Sequence, residues 1–436
     1  MNDFKVTSKH DVCDTALKWL MDKAVIGSNG KRSITLESNM DMLYSMAVTE
    51  LLIWCISIRP SLSEFVKAQV VNRAIDRWLR YKKYRDNPDK VSAYEEALSV
   101  ELRKISEGKD YQILGFINLR PEDYLLRKPI EISGSVLEFV SWSELNSINL
   151  ENVWREAQEN LPKNIANVFS DASRMVSTFI PFFVTVKSYS TDDALRSAQR
   201  KINLLRVAMN FVSATRLLVR YGEAFPLAKF IESPIWCVLN NDRVLSFAAY
   251  TTDDVKFPQS QEISQSEYNS AQNIINRINE SKGLWGLITD LLYLYQQALD
   301  LTDRKEVYLA LWRILEAAVL DDPKRPANIP ALVGNITGVE KDPILKHALN
   351  MLSVYRNNLV HNGTFPDRNN DIIFSLKKIV DVTLGKLILI ERDINDENEF
   401  REFLAFLTTN DTDLTRKAKV IGLLQSKRAL VHKSAF

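Results

Sequence analysis

The sequence predicts a mainly α protein in three parts: an N-terminal helical region (residues 1–110), a central α+β region (111–265) and a C-terminal helix bundle (266–410). A basic tail, 411–436, follows. Three observations lead there. Apolar residues recur at helical spacing from about residue 10 to 108 and again from Glu267 onward. Between these parts the period changes to short β-branched and aromatic runs split by Pro, Gly and Ser, which is strand behaviour. A polar stretch, Thr251 to Ser266 (T-T-D-D-V-K-F-P-Q-S-Q-E-I-S-Q-S), has few groups to bury and marks the clearest domain boundary.

Within the first part, Ala16, Leu17, Trp19 and Leu20 form a helical stripe. Met40 to Ile58 forms a longer one, closed by Arg59-Pro60, and Ser61-Leu62-Ser63-Glu64 supplies capping chemistry for the next helix. The run Arg77 to Arg85 (R-W-L-R-Y-K-K-Y-R) interleaves three aromatics with five cations. Such a run suits RNA, because rings stack on bases while cations hold phosphates. It equally suits a solvated helix end whose cations favour the macrodipole, which is the simpler reading. In the central part, Tyr111 to Leu119, Pro129 to Ser133, Val136 to Trp142 and Phe179 to Val186 read as strands, with a helix from about Leu150 to Glu159. Ser190-Thr191-Asp192-Asp193 caps a long helix reaching about Val219. Trp236 to Leu239 and Val244 to Ala249 read as a hairpin. The last part holds helices over Ala271 to Asn279, Leu284 to Leu301, Lys305 to Leu320, Pro343 to His361 and Asp371 to Arg392, with the widest loop at Asp321 to Asp342. Leu414 to Phe436 carries six Lys or Arg residues and no acid, which suits RNA, docking on an acidic patch or a partly disordered tail.

Composition narrows the function classes. At 436 residues, 46% hydrophobic and 25% charged, the chain has the makeup of folded domains. A net charge of +1 excludes a uniformly basic nucleic-acid coat but permits a local basic groove. Cys13, Cys55 and Cys237 are odd in number and far apart, with no C-x-x-C pair and no histidine at ligand spacing. A reducing, cytoplasmic setting without disulfides, zinc or another cofactor is therefore expected. The N-terminus lacks the apolar core of a signal peptide. The longest apolar run, Ala47 to Ile58, is interrupted by Glu50 and falls short of the roughly 18 residues a membrane span needs.

Chemistry concentrates in Tyr355 to Gly363, Y-R-N-N-L-V-H-N-G, which holds one of only four histidines. Leu345, Leu349, Leu352, Tyr355 and Leu359 set a core stripe, with Arg356 at its margin. Asn357 and His361 are an i, i+4 pair on the neighbouring face. Arg356 lies about 140° around the helix from His361. Gly363 stands where a helix commonly ends in a left-handed residue, which opens His361 to solvent. Read on spacing alone, His361 is equally a residue that bonds the last carbonyls of its helix, and Arg356 and Asn357 are loop anchors. Glu316 breaks the apolar run V-Y-L-A-L-W-R-I-L-E-A-A-V-L. Its nearest partner is Arg313, and the alternative is that it reaches and orients Arg356. Tyr355 suits the core better than a base-stacking platform, and His347 suits the surface.

A helix bundle with R-N-N-L-V-H-N-G on its penultimate long helix resembles the HEPN superfamily, whose signature is Arg, four to six residues, then His, often with Asn after the Arg. The segments Leu309 to Val319 (L-A-L-W-R-I-L-E-A-A-V) and Tyr355 to Gly363 are similar to the ApeA-like HEPN ribonuclease group, over roughly residues 267–395. The first 265 residues are similar only to the variable recognition regions that such proteins carry. The resemblance implies a HEPN-type bundle and a metal-independent endoribonuclease. Its catalytic residues would be Arg356, Asn357 and His361, supported by Glu316 and Tyr355. It also implies RNA as substrate, a homodimer whose two motifs share one cleft, and an effector role in anti-phage defence or a toxin system. The trigger would be phage-derived or a nucleotide. The alternative it leaves is a non-catalytic HEPN module that binds nucleotide, RNA or protein.

Overall fold

The chain is mainly helical, as the apolar spacing predicts. The computed structural model describes all residues except 1–3, 7–9, 27–31, 35–46, 54–55, 59–63, 106–107, 121, 148–158, 160–171, 215–225, 234, 241–242, 250–258, 281, 320–327, 339–342, 367–368, 408–411, 414 and 423–436. It falls into two units, Met1–Tyr111 with Lys187–Ser197, and Gln112–Val186 with Ala198–Phe436.

In the first unit, strand β1 (Phe4–Val6) is followed by helix α1 (His10–Asp22), strands β2 (Ala24–Ile26) and β3 (Arg32–Ile34), a helical segment at 47–53 and strand β4 (Ile56–Ile58). Helices α2 (Glu64–Arg80), α3 (Lys82–Arg85) and α4 (Lys90–Ile105) complete it. The expectation of helices throughout is corrected here: β1 pairs with β4 and β2 with β3, both antiparallel. The run ending at Ile58 turns extended because Ile56 and Ile58 are β-branched and Pro60 disfavours helix just before it. Leu17, Leu20, Leu52, Val70, Trp78, Tyr94 and Leu98 form the core.

Two of the three aromatics in the Arg77 to Arg85 run, Trp78 and Tyr84, are buried in that core, while Tyr81 is exposed. Three of its cations are paired. Arg77 meets Glu101 and Lys83 meets Glu96 at 2.9 Å, both across to α4, and Arg80 meets Asp76 at 2.6 Å within α2. The run is thus a helix end locked onto α4, with one ring facing solvent. Cys13 and Cys237 are buried thiols, and burial pushes the Cys237 thiol up to about 12.

The central sheet has six strands in the order β10-β9-β5-β8-β7-β6. They are β5 (Lys109–Ile117), β6 (Ile130–Ile132), β7 (Ser135–Phe139), β8 (Ile180–Ser188), β9 (Ile235–Asn240) and β10 (Arg243–Ala249). The register Ile132↔Ser135 makes Ser133-Gly134 a two-residue turn. Both have positive φ, 46° and 73°, as a tight hairpin requires. Helix α5 (Ala172–Thr178) precedes β8, and α6 (Thr191–Ala214) begins at a Ser190 cap whose Oγ accepts from the Asp193 amide. The helix expected at Leu150 to Glu159 lies, except for Glu159, outside the described residues.

The bundle consists of α7 (Gln265–Glu280), α8 (Trp285–Asp300), α9 (Arg304–Ala318), α10 (Ile329–Thr337), α11 (Pro343–Asn362), α12 (Asn369–Ile390) and α13 (Glu397–Leu407). Two of these depart from expectation. The loop at Asp321 to Asp342 contains α10, started by Asn328 accepting from the Ala331 amide and stopped by left-handed Gly338. After α12, Asp396 accepts from the Asn398 and Glu399 amides and starts α13. Residues 415–422 of the basic tail are helical and exposed.

The polar stretch predicted as a linker is described from Gln259. There Gln261 bridges to Leu119, the Asn118 side-chain amide donates to the Gln259 carbonyl, and Ile263 is buried. A buried polar cluster on α6 also joins the sheet side of this unit to α8. The Arg206 guanidinium, 2% exposed, bonds Asp300 at 2.6 Å, the Phe230 carbonyl and Asn203, with Glu232 at 3.5 Å. Asn210 beside it donates to Gln296. Deeper in the bundle, Tyr295 donates to Asp381 at 2.5 Å and Lys377 pairs with the other Asp381 oxygen at 2.9 Å. Among the described residues, no helix is long and apolar enough to cross a membrane.

Candidate functional site

Helix α11 carries the motif, and its two sides behave differently. Leu349, Leu352 and Leu359 are buried, which fixes one side toward the bundle. The Leu352 carbonyl also accepts from the buried Tyr308 hydroxyl on α9 at 2.5 Å. Gly363, at φ 65°, ends the helix, and its amide returns to the Leu359 carbonyl. Lys305, near the start of α9, donates to the Gly363 carbonyl at 3.2 Å, so a cation sits at the negative end of α11. Beyond that turn Phe365 packs on the Tyr308 ring, with centroids 5.0 Å apart.

Arg356 leaves the buried side. Its guanidinium bonds Glu316 on α9 at 3.0 Å and touches the Asn357 side chain at 3.2 Å. Glu316 therefore spans to α11 and does not pair with Arg313. The same Glu316 oxygen accepts the Trp312 indole N–H at 2.9 Å, so one carboxylate orients two side chains. Partly exposed, the pair gains modestly from its charges but is held in one geometry by three hydrogen-bonding groups. Together they edge a groove of about 590 Å³ walled by Leu294, Leu309, Ala310 and Val360, with Arg313 also at its edge.

His361 and Asn357 are exposed, and neither bonds a described carbonyl of α11. His361 is thus not the carbonyl-capping residue that its spacing also allowed; Lys305 fills that role. No hydrogen bond or ion pair joins His361 to Arg356. Along the solvent side of α11, Ile344, Met351 and Val354 are exposed apolar residues, and His347 is exposed. Tyr355 is half-buried beside Tyr308, whose hydroxyl pKa is raised, first by burial and then by Tyr355.

Sequence reasoning missed Trp312, Tyr308 and Lys305. Trp312 and Glu316 are an i, i+4 pair, so that contact had a local signal. The contacts made by Tyr308 and Lys305 join helices distant in sequence and had none. Among the described residues, no three His, Cys, Asp or Glu side chains are grouped to hold a metal ion. Comparison with protein families, curated proteins and solved structures finds no match.

Proposed function

We propose that this chain is a HEPN-type endoribonuclease acting on RNA, with Arg356, Asn357 and His361 as its reactive residues. The observation that carries the reading is their placement: His361 stands open in the last turn of α11, and Arg356, five residues earlier, is oriented by Glu316. The His361 imidazole, acting as general base, removes the proton from a ribose 2′-hydroxyl. The 2′-oxygen attacks the adjacent phosphorus, and the departing 5′-oxygen takes a proton from a second imidazole. Arg356 offsets the charge that builds on the phosphate oxygens, and Asn357 holds phosphate or aligns the imidazole.

Within one copy, Arg356 and His361 leave the helix about 140° apart. The reading therefore uses two copies of the chain, with RNA held between them. The exposed Ile344, Met351 and Val354 on the helix that carries His361 give the second copy an apolar surface. In this scheme the chain is the toxic effector of an anti-phage or toxin system, and the α+β region senses a phage-derived or nucleotide trigger. The test is cleavage of mixed RNAs by purified protein. His361→Ala and Arg356→Ala should each remove cleavage while circular dichroism stays unchanged. Wild-type protein that leaves RNA intact, or variants that cut equally well, would end the catalytic reading.

A non-catalytic RNA-binding or protein-interaction module is the second reading. One feature favours it: the Arg356 charge is already matched by Glu316. It predicts that RNA is retained uncut, with affinity indifferent to His361→Ala.

A further inference from the structure

The one exposed ring of the Arg77 to Arg85 run is held in place. Tyr81, between α2 and α3, is 50% exposed. The Arg77 guanidinium carbon lies over its ring, 5.2 Å from the centroid, and Tyr84 meets it edge-on with centroids 6.3 Å apart. Arg77 is fixed in turn, because the buried Glu101 carboxylate on α4 accepts from its Nε. An exposed phenol restrained in this way loses little freedom when a second flat group stacks on it.

Positive charge around the ring exceeds the acid that faces it. Glu101 meets both Arg77 and Lys104, the latter at 2.9 Å, so one carboxylate is set against two cations. Arg80 with Asp76 and Lys83 with Glu96 are pairs whose side chains are half exposed or more, so water screens them and a phosphate competes readily. Arg73 and Lys82 are exposed and have no ion-pair partner among the described residues. The Tyr81 amide still bonds the Arg77 carbonyl, so Arg73, Arg77 and Tyr81 follow one another at four-residue steps along one side of α2.

A flat ring flanked by unmatched cations suits flat groups strung on phosphates. An acidic peptide uses the cations and leaves the ring idle, and in a duplex each base face is already covered by its neighbours. An unpaired strand uses both: a base stacks on Tyr81 while phosphates meet Arg73, Lys82 and the excess charge of Arg77 and Lys104. Stacking is indifferent to the sugar, so RNA and DNA share this chemistry. We propose that Tyr81 and the cations around it form a binding site for single-stranded nucleic acid. The site lies within the first unit, shares no residue with the groove at Arg356 and involves no cleavage, so it stands apart from the ribonuclease reading.

Fluorescence anisotropy of the full chain tests it, with a labelled oligouridine carrying 2′-O-methyl groups as the probe. That strand has no free 2′-hydroxyl, so binding is read without cleavage, and it should bind saturably. A DNA strand of equal length is the second arm: comparable affinity supports contact through base and phosphate alone, and a preference for either strand names the source. Tyr81→Ala should weaken binding at least about fivefold, whereas Tyr81→Phe keeps the ring and should bind as the wild type does. Arg73→Ala combined with Lys82→Ala should reduce the steepness of log affinity against log salt by about 1.4. No saturable binding, wild-type affinity in Tyr81→Ala, or a loss in Tyr81→Phe as large as in Tyr81→Ala would overturn the proposal. Equal affinity for a duplex, or for an oligoglutamate of the same charge, would overturn it as well. The comparison of single strand, duplex and oligoglutamate on wild-type protein decides the matter even if a variant does not fold.

Discussion

Removing the Glu316 carboxylate affects two groups at once, and their separate costs can be told apart. In Glu316→Ala the Trp312 indole N–H, on a side chain only 2% exposed, loses its acceptor. An orphaned buried donor costs about 1–3 kcal/mol. The Arg356 pair is lost as well. With side chains 31% and 25% exposed, water screens it, and its share is at most about 1 kcal/mol. Together Glu316→Ala should cost about 1–4 kcal/mol. Glu316→Gln keeps an oxygen for the indole and should cost only about 1 kcal/mol. A double-mutant cycle of Glu316→Gln with Arg356→Met should return a coupling of about 0.5–1 kcal/mol. The measurement is urea unfolding of the bundle, assigned by hydrogen exchange at the α9 amides. If Glu316→Gln is as harmful as Glu316→Ala, the charge matters and the acceptor does not, contrary to this account. A cost for Glu316→Ala under about 0.5 kcal/mol contradicts it equally.

Buried contacts elsewhere in the same unit give two further expectations. Burial pushes the Glu232 carboxyl from its ordinary 4.5 up to about 7, with Arg206 opposing and Asp300 adding to the rise. The folded form therefore binds the proton more tightly than the unfolded chain. Its contribution is full below pH 4.5 and is lost as pH rises to about 7, by up to about 3 kcal/mol. Glu232→Gln should flatten that part of the stability-versus-pH curve, and an unchanged slope would contradict it. Gly115→Ala should destabilise by about 1–3 kcal/mol in thermal unfolding, because its Cβ would lie 2.5 Å from the Phe182 ring and 2.9 Å from that of Trp236. A neutral result would mean that both rings move aside at little cost.

Where the sequence was legible, the signal was local. Ser190 and Gly363 mark a helix start and a helix end by backbone chemistry that operates over three or four residues, and both ends fall where that chemistry puts them. The first four strands of the central sheet and its hairpin were readable from β-branched and aromatic runs for the same reason. α10 escaped because I-P-A-L-V-G-N-I-T is short and contains both Pro and Gly, although Pro at a helix start and Gly at its end are consistent with helix. The three-residue strands of the first unit are too brief to show a period. The Glu316–Arg356 bond joins residues 40 positions apart, and Arg313 was the nearer candidate. Two helices had to meet before that choice could be made. The Gln259 to Ile263 stretch looked idle because its contacts are mostly hydrogen bonds to backbone groups, which leave no trace in side-chain polarity.

The arc that separates Arg356 from His361 on α11 has a kinetic consequence. If the reactive cleft draws its arginine and its histidine from different copies, an isolated chain is inert and the working species is the pair. Cleavage should then scale with the square of protein concentration when dilute and become linear once the pairs are filled. Such a protein is silent at low abundance and abrupt at high abundance, and its threshold is set by the affinity of one copy for the other.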